Sequence, residues 1–281
     1  MSSSGLRRYY VTTTMQDFLI AIILGVVEGV TEFLPISSTG HLILFNEWFA
    51  FEESFTKMFN IVIQSGAILE VIIIFWKDLW PEKLNFKAIE AKWGKIFVAF
   101  VVTAILGVLL SDYIEEYLFS PWVVAIALIV YGIAFYFIET ARKKLPDLKN
   151  EIQDSISYNH AVLIGLAQSL AMIPGTSRSG ATIVGLLLLG YSRVLAVKFS
   201  FLLAVPTLLA AGGYSLLKYD RGLSVQDFWL LAVGFIVSFV TAYAVSKWFL
   251  GFIRTNTFIP FAYYRIVLGL LVLAYFGYKM M

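Results

Sequence analysis

The sequence predicts an all-α, polytopic membrane protein, and three features of its composition and patterning support this fold class. Hydrophobic residues make up 59% of the 281 residues even without glycine, whereas soluble domains contain about 45 to 50% apolar residues with glycine included. Charged residues make up only 14%, about half of their usual share. The charges lie between long apolar runs, such as 96–110 and 121–138, which are typical of transmembrane helices. An ordinary soluble globule is therefore excluded.

Net charge, cysteine content and chain length exclude several classes of function. A net charge of +2 is too small to indicate a nucleic-acid partner. The absence of cysteine excludes disulfides, thiolate metal sites and a cysteine nucleophile. The length fits a single membrane domain over residues 1–281, with no separate soluble domain. Residues 1–14 are polar and precede the first apolar run, so we expect them to be a dispensable extension.

Four of the apolar segments form two interrupted pairs. The segments are, in order, 17–34, 36–51, 58–76, 96–110, 121–138, 161–173, 180–190, 194–217, 228–250 and 259–278. Polar breaks at 35–40 and 174–180, both containing proline and glycine, divide the two pairs. Proline and glycine end helices, and a polar break at membrane depth is tolerated only where it faces protein or a wet cavity. Each pair therefore predicts a re-entrant helix hairpin, and the other six segments predict transmembrane helices.

The two breaks resemble each other, which predicts an internal repeat. A shift of 140 residues places Gly25 on Gly165, Glu28 on Gln168, Ser37 on Ser177 and Gly40 on Gly180. Each half, at about 15–140 and 160–281, then contains one hairpin and three spans. Because three is odd, the halves are inverted, and inverted repeats with interrupted helices place a site where the breaks meet. The match is short, so chance similarity is the alternative.

Basic residues in short loops predict the orientation of the chain. The first loop rich in basic residues carries Lys77, Lys83, Lys87, Lys92 and Lys95, and the mid-chain loop carries Arg142, Lys143, Lys144 and Lys149. The stretch 111–120 has no basic residue but has Asp112, Glu115 and Glu116. We therefore expect the two basic loops to be cytoplasmic and both termini to lie outside. The two hairpins would then enter from opposite faces.

Glu28 and Glu32 are candidate site residues because they interrupt an apolar segment. They lie four residues apart, so a helix places both on one face. A lone carboxylate in a membrane is costly, and a divalent metal, an arginine or protonation of one carboxylate would each relieve the cost. The alternative is a helix-packing pair bonded to neighbouring serine and threonine side chains.

Each polar break supplies a different kind of chemistry. The first contains Ser37, Ser38, Thr39, Gly40 and His41, whose hydroxyls and imidazole suit nucleophilic attack, phosphate binding or proton transfer, although such serines also cap helices. The second contains Arg178, flanked by hydroxyls and glycines. Backbone N–H groups, a helix N-terminus and a guanidinium together favour phosphate. Arg178 could instead be the counter-ion of Glu28 or Glu32, and both roles could hold.

Three stretches resemble the bacterial undecaprenyl pyrophosphate phosphatase family, also called bacitracin-resistance proteins. EGVTEFLPISSTGH at 28–41 and PGTSRSGAT at 174–182 look like the two signature stretches of this family, and FAYYRIVLG at 261–269 is similar to its C-terminal motif. The resemblance runs from about residue 15 to the end. It implies hydrolysis of undecaprenyl diphosphate, an isoprenoid lipid diphosphate, to the monophosphate, which recycles the carrier for peptidoglycan synthesis. It also implies a Mg²⁺ or Ca²⁺ requirement and an outward-facing site in the bacterial inner membrane, among membrane lipids, and leaves a homodimer open.

The resemblance also implies roles for individual residues. Glu28 and Glu32 match the acidic motif and are the expected metal ligands, Ser38 and His41 match the proposed nucleophile or proton-transfer residues, and Arg178 matches the diphosphate-binding arginine. Which of Ser38 and His41 attacks stays open. The positions expected to touch or surround phosphate are Ser37, Thr39, Gly175, Thr176, Ser177, Ser179, Gly180 and Thr182.

Three further polar residues receive structural interpretations. Glu70 departs from the apolar residue expected at its position, and we interpret it as a helix-interface residue, with Gln64 as one candidate partner. Arg265 lies inside the last apolar run, where we favour bonds to loop carbonyls over substrate contact. His160 is expected at or near the surface. The competing functions are a secondary transporter, since transporters also use inverted repeats with broken helices, and a lipid flippase.

Overall fold

The structure, a computed structural model, describes residues 14–80, 86–142 and 156–280. Within these ranges all regular structure is helical, with a 3₁₀ turn at Leu170–Met172. The helices are α1 (Met15–Thr31), α2 (Ser38–Phe45), α3 (Glu53–Ala67), α4 (Leu69–Ile74), α5 (Trp76–Leu79), α6 (Phe86–Tyr117), α7 (Pro121–Arg142), α8 (Tyr158–Ser169), α9 (Arg178–Leu188), α10 (Arg193–Lys218), α11 (Val225–Phe252) and α12 (Ile259–Lys279).

The fold class predicted from the sequence is confirmed. Among the described residues, six helical stretches are long and apolar enough to cross a membrane, and each corresponds to one predicted span. They are Glu53–Ile74, Trp93–Tyr117, Pro121–Arg142, Arg193–Lys218, Val225–Phe252 and Ile259–Lys279. The shorter helices α1, α2, α8 and α9 are the ones that we assigned to the two re-entrant hairpins.

Several predicted boundaries were wrong, because hydropathy detects the apolar centre of a helix and not its charged ends. The first basic loop is largely helical: α6 begins at Phe86 and includes Lys87, Lys92 and Lys95. The same helix continues through the acidic stretch to Tyr117. Lysine and glutamate are good helix formers, so the backbone hydrogen bonds continue past the apolar run. Lys83, Lys143, Lys144 and Lys149 lie outside the described residues.

The N-terminal and hairpin helices also differ from the predicted segments. Thr14, assigned to the dispensable extension, caps α1: its hydroxyl accepts from the backbone N–H of Asp17, and the Asp17 carboxylate accepts from Thr14 in return. The rest of that extension lies outside the described residues. In the first hairpin, α2 is shorter than the segment 36–51, because the chain leaves the helix at the Asn46 cap and enters turns.

The helix pairings place the two hairpins against opposite halves of the chain. The first helix of hairpin one, α1, packs on α11, and the first helix of hairpin two, α8, packs on α6. Glycines make both contacts close: a Cβ on Gly25 would lie 2.8 Å from the Gly234 carbonyl oxygen, and one on Gly165 would lie 2.6 Å from that of Ala99. In addition, α3 packs on α10 and α7 on α12. These reciprocal pairings support the predicted inverted repeat.

Candidate active site

The two polar breaks adopt the same local backbone. Ser37 and Ser177 have φ angles of 70° and 75°, a left-handed region that non-glycine residues rarely occupy. Each serine caps the helix that follows it, since its hydroxyl accepts from the backbone N–H of Gly40 (3.3 Å) or Gly180 (3.1 Å). Strained backbone of this kind concentrates at functional sites. The structure thus gives both breaks one design, a strained serine followed by a helix start.

Arg265 joins the two breaks by hydrogen bonds to their carbonyl oxygens, as we predicted from the sequence. Its guanidinium is fully buried and donates to the carbonyl oxygens of Pro35 (3.1 Å), Gly175 (2.9 Å) and Thr176 (2.9 Å). Pro35 belongs to the first break and the other two residues to the second. Gly175 has a φ of +91°, and a Cβ there would lie 2.4 Å from the carbonyl oxygen of Val124. The breaks are therefore held together and against α7.

A chain of three side chains connects the hairpins at the centre of the site. The Ser38 hydroxyl donates to Glu32 Oε2 at 2.6 Å, and Arg178 Nη2 donates to Glu32 Oε1 at 3.2 Å. Ser38 and Glu32 belong to the first hairpin, whereas Arg178 begins α9 in the second. The predicted approach of Ser38 to Arg178 therefore occurs through one shared carboxylate.

Arg178 is in the resting arrangement that the counter-ion interpretation predicted. Besides Glu32, its Nη1 donates to the carbonyl oxygen of Ser200 at 2.9 Å, and its guanidinium carbon lies 5.2 Å from the centroid of the Phe33 ring. Its Nε has no hydrogen-bond partner among the described residues. The guanidinium therefore keeps one unused donor, Nε, beside its contacts with Glu32, Ser200 and Phe33.

Glu28 lies one helical turn before Glu32 but is not satisfied. The side chain is fully buried, and both carboxylate oxygens have no hydrogen-bond partner among the described residues. An unpartnered buried carboxylate is costly unless a cation or a proton accompanies it. Carboxylate oxygens are the donors that Mg²⁺ and Ca²⁺ prefer. Glu28 and Glu32 are two such donors, but within the described part of the chain no group of three or more acidic or histidine side chains is close enough to hold a metal ion. The divalent cation therefore stays a prediction.

His41 lies in the same break but makes different contacts. Its Nδ1 is 2.7 Å from the carbonyl oxygen of Ser37, and its Nε2 is 2.7 Å from the hydroxyl of Tyr264 on α12. The two rings stack, with centroids 5.6 Å apart and an interplanar angle of 13°. Of the four other predicted catalytic residues, none is bonded to the imidazole, so the structure joins His41 to the site through Tyr264 and the loop backbone.

The site is closed in this structure. Four of the five predicted catalytic side chains are buried, with Glu28 0% exposed, Glu32 and Ser38 6% and His41 7%, and the Arg178 side chain is 9% exposed. The predicted opening of the site to the outer side stays a prediction. A cavity of about 230 Å³ lies elsewhere, lined by residues from 192–194 and 253–257.

The predicted phosphate-contact residues surround the loops in different ways. The Ser179 hydroxyl donates across the hairpins to the carbonyl oxygen of Leu34 at 3.0 Å. Its oxygen also lies 3.0 Å from the hydroxyl oxygen of Ser177. The Thr182 hydroxyl donates to the carbonyl oxygen of Arg178 at 2.9 Å. Thr39 is half-buried, whereas four residues are buried beside Ser38 or Arg178: Ser37, Gly175, Thr176 and Gly180. All eight residues therefore lie in or next to the breaks, and their contact with phosphate stays a prediction.

The second half places a neutral, satisfied network where the first half has Glu28. Gln168 occupies the position 140 residues after Glu28. Its amide nitrogen donates to the hydroxyls of Thr103 (3.1 Å) and Thr207 (3.2 Å), and its amide oxygen accepts from Thr182 (3.3 Å). The two halves therefore share a backbone design but differ in chemistry. Of these two equivalent residues, Glu28 is a carboxylate without a hydrogen-bond partner among the described residues, and Gln168 is a hydrogen-bonded amide.

Glu70 is a second fully buried carboxylate without a hydrogen-bond partner among the described residues. Its suggested pairing with Gln64 is therefore wrong. The residue lies on α4, which packs on α10 and α11. The Ser246 hydroxyl lies near the Glu70 carboxylate but is not hydrogen-bonded to it, and the positive charge of Arg178 attracts this carboxylate. The interpretation of Glu70 as a helix-interface residue is compatible with this position.

We expect Glu70→Met to stabilise the protein. The substitution replaces a buried carboxylate, which has no hydrogen-bond partner among the described residues, by an apolar side chain of similar volume. It therefore removes the free-energy cost of burying an unpartnered charge. Thermal unfolding in detergent should show a higher midpoint for the variant, with phosphate-releasing activity retained. A lower midpoint together with lost activity would mean that Glu70 has an unrecognised role at the site.

The sequence analysis assigned no role to two neighbours of the site, Tyr264 and Gln168, and the sequence contains only a weak signal for each. Tyr264 contacts His41 although 223 residues separate them. Its position directly before the buried Arg265 is a signal that it lies near the breaks. Gln168 was noticed only as the repeat partner of Glu28, and its three partners come from three other helices, which no local pattern predicts.

The fold and the site together define a class of protein: a polytopic helical membrane protein with a buried carboxylate, serine and arginine site between two broken helices. The family model described as "Bacitracin resistance protein BacA" matches residues 21–271. The chain is 44% identical to an undecaprenyl-diphosphatase of Enterococcus faecalis, over 92% of this chain and 96% of the relative. It is 48% identical to one of Wolinella succinogenes, over 92% and 98%, and 45% identical to undecaprenyl-diphosphatase 1 of Clostridioides difficile, over 94% and 98%. The chain belongs to the BacA family of bacitracin resistance proteins.

Proposed function

We propose that this protein hydrolyses undecaprenyl diphosphate to undecaprenyl phosphate and inorganic phosphate, which recycles the lipid carrier for peptidoglycan synthesis and confers bacitracin resistance. Family membership and the names of the relatives support this activity. The observation that carries the assignment of the site is the Ser38–Glu32–Arg178 chain, which joins a hydroxyl, a base and a phosphate-binding cation across the two hairpins.

Ser38 is the attacking group in this proposal because its hydroxyl already donates to a carboxylate. When the diphosphate binds, Arg178 turns from Glu32 toward the phosphoryl oxygens, and the N-terminus of α9 adds a partial positive charge. Glu32 Oε2, which already accepts from the Ser38 hydroxyl, then takes up the Ser38 proton. The bond from Ser38 Oγ to the terminal phosphorus forms as the bond from that phosphorus to the bridging oxygen breaks. Undecaprenyl phosphate leaves.

The second step returns the serine. Water attacks the phosphoserine, the bond between phosphorus and Ser38 Oγ breaks, and the proton held by Glu32 returns to Oγ. In this proposal the proton of the attacking water passes to His41, while Glu28 would be occupied by the divalent cation. Inorganic phosphate leaves, and ionised Glu32 pairs again with Arg178. Apolar gaps between the helices would hold the isoprenoid chain by shape, because lipid is as apolar as the protein.

We expect activity to require a divalent cation. Glu28 and Glu32 would hold the ion, which would neutralise charge on the phosphoryl oxygens. Without the ion, the unpartnered Glu28 carboxylate would repel a polyanionic substrate. Purified protein should release phosphate in Mg²⁺ or Ca²⁺ and lose almost all activity in excess chelator, with recovery when the metal is restored. Full activity in chelator would remove the metal from the proposal.

Release of inorganic phosphate from farnesyl or undecaprenyl diphosphate by detergent-purified protein tests the function directly. A phosphatase releases one phosphate for each lipid monophosphate formed. A secondary transporter or a flippase of the same architecture would move its substrate in liposomes without releasing phosphate in detergent. Failure of the purified, metal-supplemented protein to release phosphate would therefore favour these alternatives.

We also propose that the site faces outward, with both termini outside. In this Cys-free chain, a cysteine at Glu115, an exposed residue near the end of α6, should react with an impermeant thiol reagent added to intact cells. A cysteine at Lys144, in the basic segment beyond the described residues, should react only after lysis, because basic segments stay cytoplasmic. The reverse pattern would place the site on the cytoplasmic face.

A further inference from the structure

The hydrogen bonds of His41 fix which of its nitrogens carries the hydrogen. Nδ1 lies 2.7 Å from the carbonyl oxygen of Ser37, and a carbonyl oxygen can only accept. Nδ1 must therefore be the donor. In a neutral imidazole, Nε2 is then the acceptor, and the Tyr264 hydroxyl at 2.7 Å is its donor. The single nitrogen of His41 that is able to take up a proton thus faces Tyr264 and not Ser38.

The surrounding structure holds this pair in place. The rings of His41 and Tyr264 are stacked, and His41 is 7% exposed whereas Tyr264 is 46% exposed. The pair therefore extends from the buried loop to the outer surface of α12, one of the six candidate membrane spans. The next residue, Arg265, is bonded to carbonyl groups of both breaks. The contact of α12 with the loops therefore sets the position of the Tyr264 hydroxyl.

We propose that Tyr264 is a positioning residue for the proton transfer carried out by His41. It holds the imidazole with Nδ1 protonated and Nε2 ready to accept. The proton released by hydrolysis reaches the Tyr264 oxygen as the hydroxyl proton of Tyr264 passes to Nε2, which leaves a neutral tyrosine and an imidazolium. In the reverse transfer Nε2 returns a proton to the Tyr264 oxygen as this oxygen gives its own proton to a water molecule, which leaves neutral His41 and neutral Tyr264. This assignment rests on the proposed phosphatase function and deepens it.

The proposal is tested first by kinetics of Tyr264→Phe, which keeps the stacked ring but removes the hydroxyl. Phosphate release should show kcat lowered by about tenfold to a hundredfold, the lower range of general acid–base effects, with KM changed by less than about twofold. Tyr263→Phe is the matched control, because Tyr263 is the neighbouring, 56% exposed tyrosine, whose ring lies against Tyr136. It should behave as wild type. Equal kcat values for Tyr264→Phe and wild type would overturn the proposal.

A second test does not depend on turnover. The chain contains two histidines, so ¹⁵N-histidine labelling with a His160→Gln variant for assignment isolates the resonances of His41. We expect a protonated Nδ1 and a hydrogen-bonded, unprotonated Nε2 in the wild type, and a shifted Nε2 resonance in Tyr264→Phe. A wild-type His41 protonated at Nε2 would overturn the proposal even if the variant failed to fold. Wild-type protein that released no phosphate would overturn the proposed function and the kinetic role of Tyr264, whereas the tautomer would still be measured.

Discussion

Ser38→Ala is expected to lower kcat for the lipid diphosphate by at least about a thousandfold, since removing the nucleophile of a covalent mechanism has effects of this size or larger. The physical reason is that Ser38 supplies the attacking oxygen, and Glu32, to which the Ser38 hydroxyl donates at 2.6 Å, accepts the proton of this hydroxyl. Phosphate release by purified protein at saturating substrate measures the loss. The fold should be retained, because the side chain loses one oxygen atom.

Ser54 provides a matched control for this variant. Its hydroxyl also donates to a glutamate at 2.6 Å, that of Glu52, but this pair is exposed at the start of α3 and away from the site. Ser54→Ala should leave kcat unchanged. Ser38→Ala with more than about a tenth of wild-type kcat would contradict a serine nucleophile, and attack by His41 or directly by water would then have to be considered.

Arg178→Lys is expected to lower kcat/KM by at least about a hundredfold although the charge is kept, because arginine contributions in phosphoryl transfer reach 10³ or more and an ammonium cannot reproduce the planar fork. In the resting structure the guanidinium uses two separate nitrogens, one for Glu32 and one for the carbonyl oxygen of Ser200. A lysine has one nitrogen atom in place of these two, so it cannot present paired donors in one plane. Steady-state kinetics with farnesyl diphosphate measure the effect.

Arg221→Lys is the corresponding control, since Arg221 makes an exposed ion pair with Glu52 at 3.0 Å and lies outside the site. Exposed pairs contribute little, so this variant should match the wild type. Near-normal turnover of Arg178→Lys would mean that Arg178 serves only as the counter-ion of Glu32. The phosphate-binding role would then have to belong to another group.

The members of the central site could be predicted from the sequence because they are polar residues at places where a membrane protein tolerates few of them. Glu28 and Glu32 interrupt an apolar run, and Ser38 and Arg178 follow helix breaks. Their grouping followed from the repeat, which brings two distant breaks together. The contacts between them could not be predicted, because Glu28 and Glu32 were both possible counter-ions of Arg178 and only the packing decides that Glu32 is its partner.

Arg265 and Glu70 illustrate the two sides of this limit. A buried arginine without an acidic neighbour in sequence must bond to carbonyl oxygens, so the interpretation of Arg265 was confirmed. The Glu70 carboxylate has no hydrogen-bond donor on its own helix, and the pairing with Gln64 that we suggested was wrong. Helix ends were missed for another reason. They depend on capping residues and on charged turns beyond the bilayer core, and a hydropathy pattern detects neither.

The central claim is that residues from both hairpins act on one phosphoryl group, and a structure of the protein with a non-hydrolysable farnesyl methylenediphosphonate tests it most directly. The account predicts that the Arg178 guanidinium leaves Glu32 to bind the terminal phosphonate. It also predicts that Ser38 Oγ lies about 3 to 3.5 Å from the terminal phosphorus, as a near-attack geometry requires. A diphosphonate bound to one hairpin alone, with the Arg178–Glu32 pair intact, would contradict it.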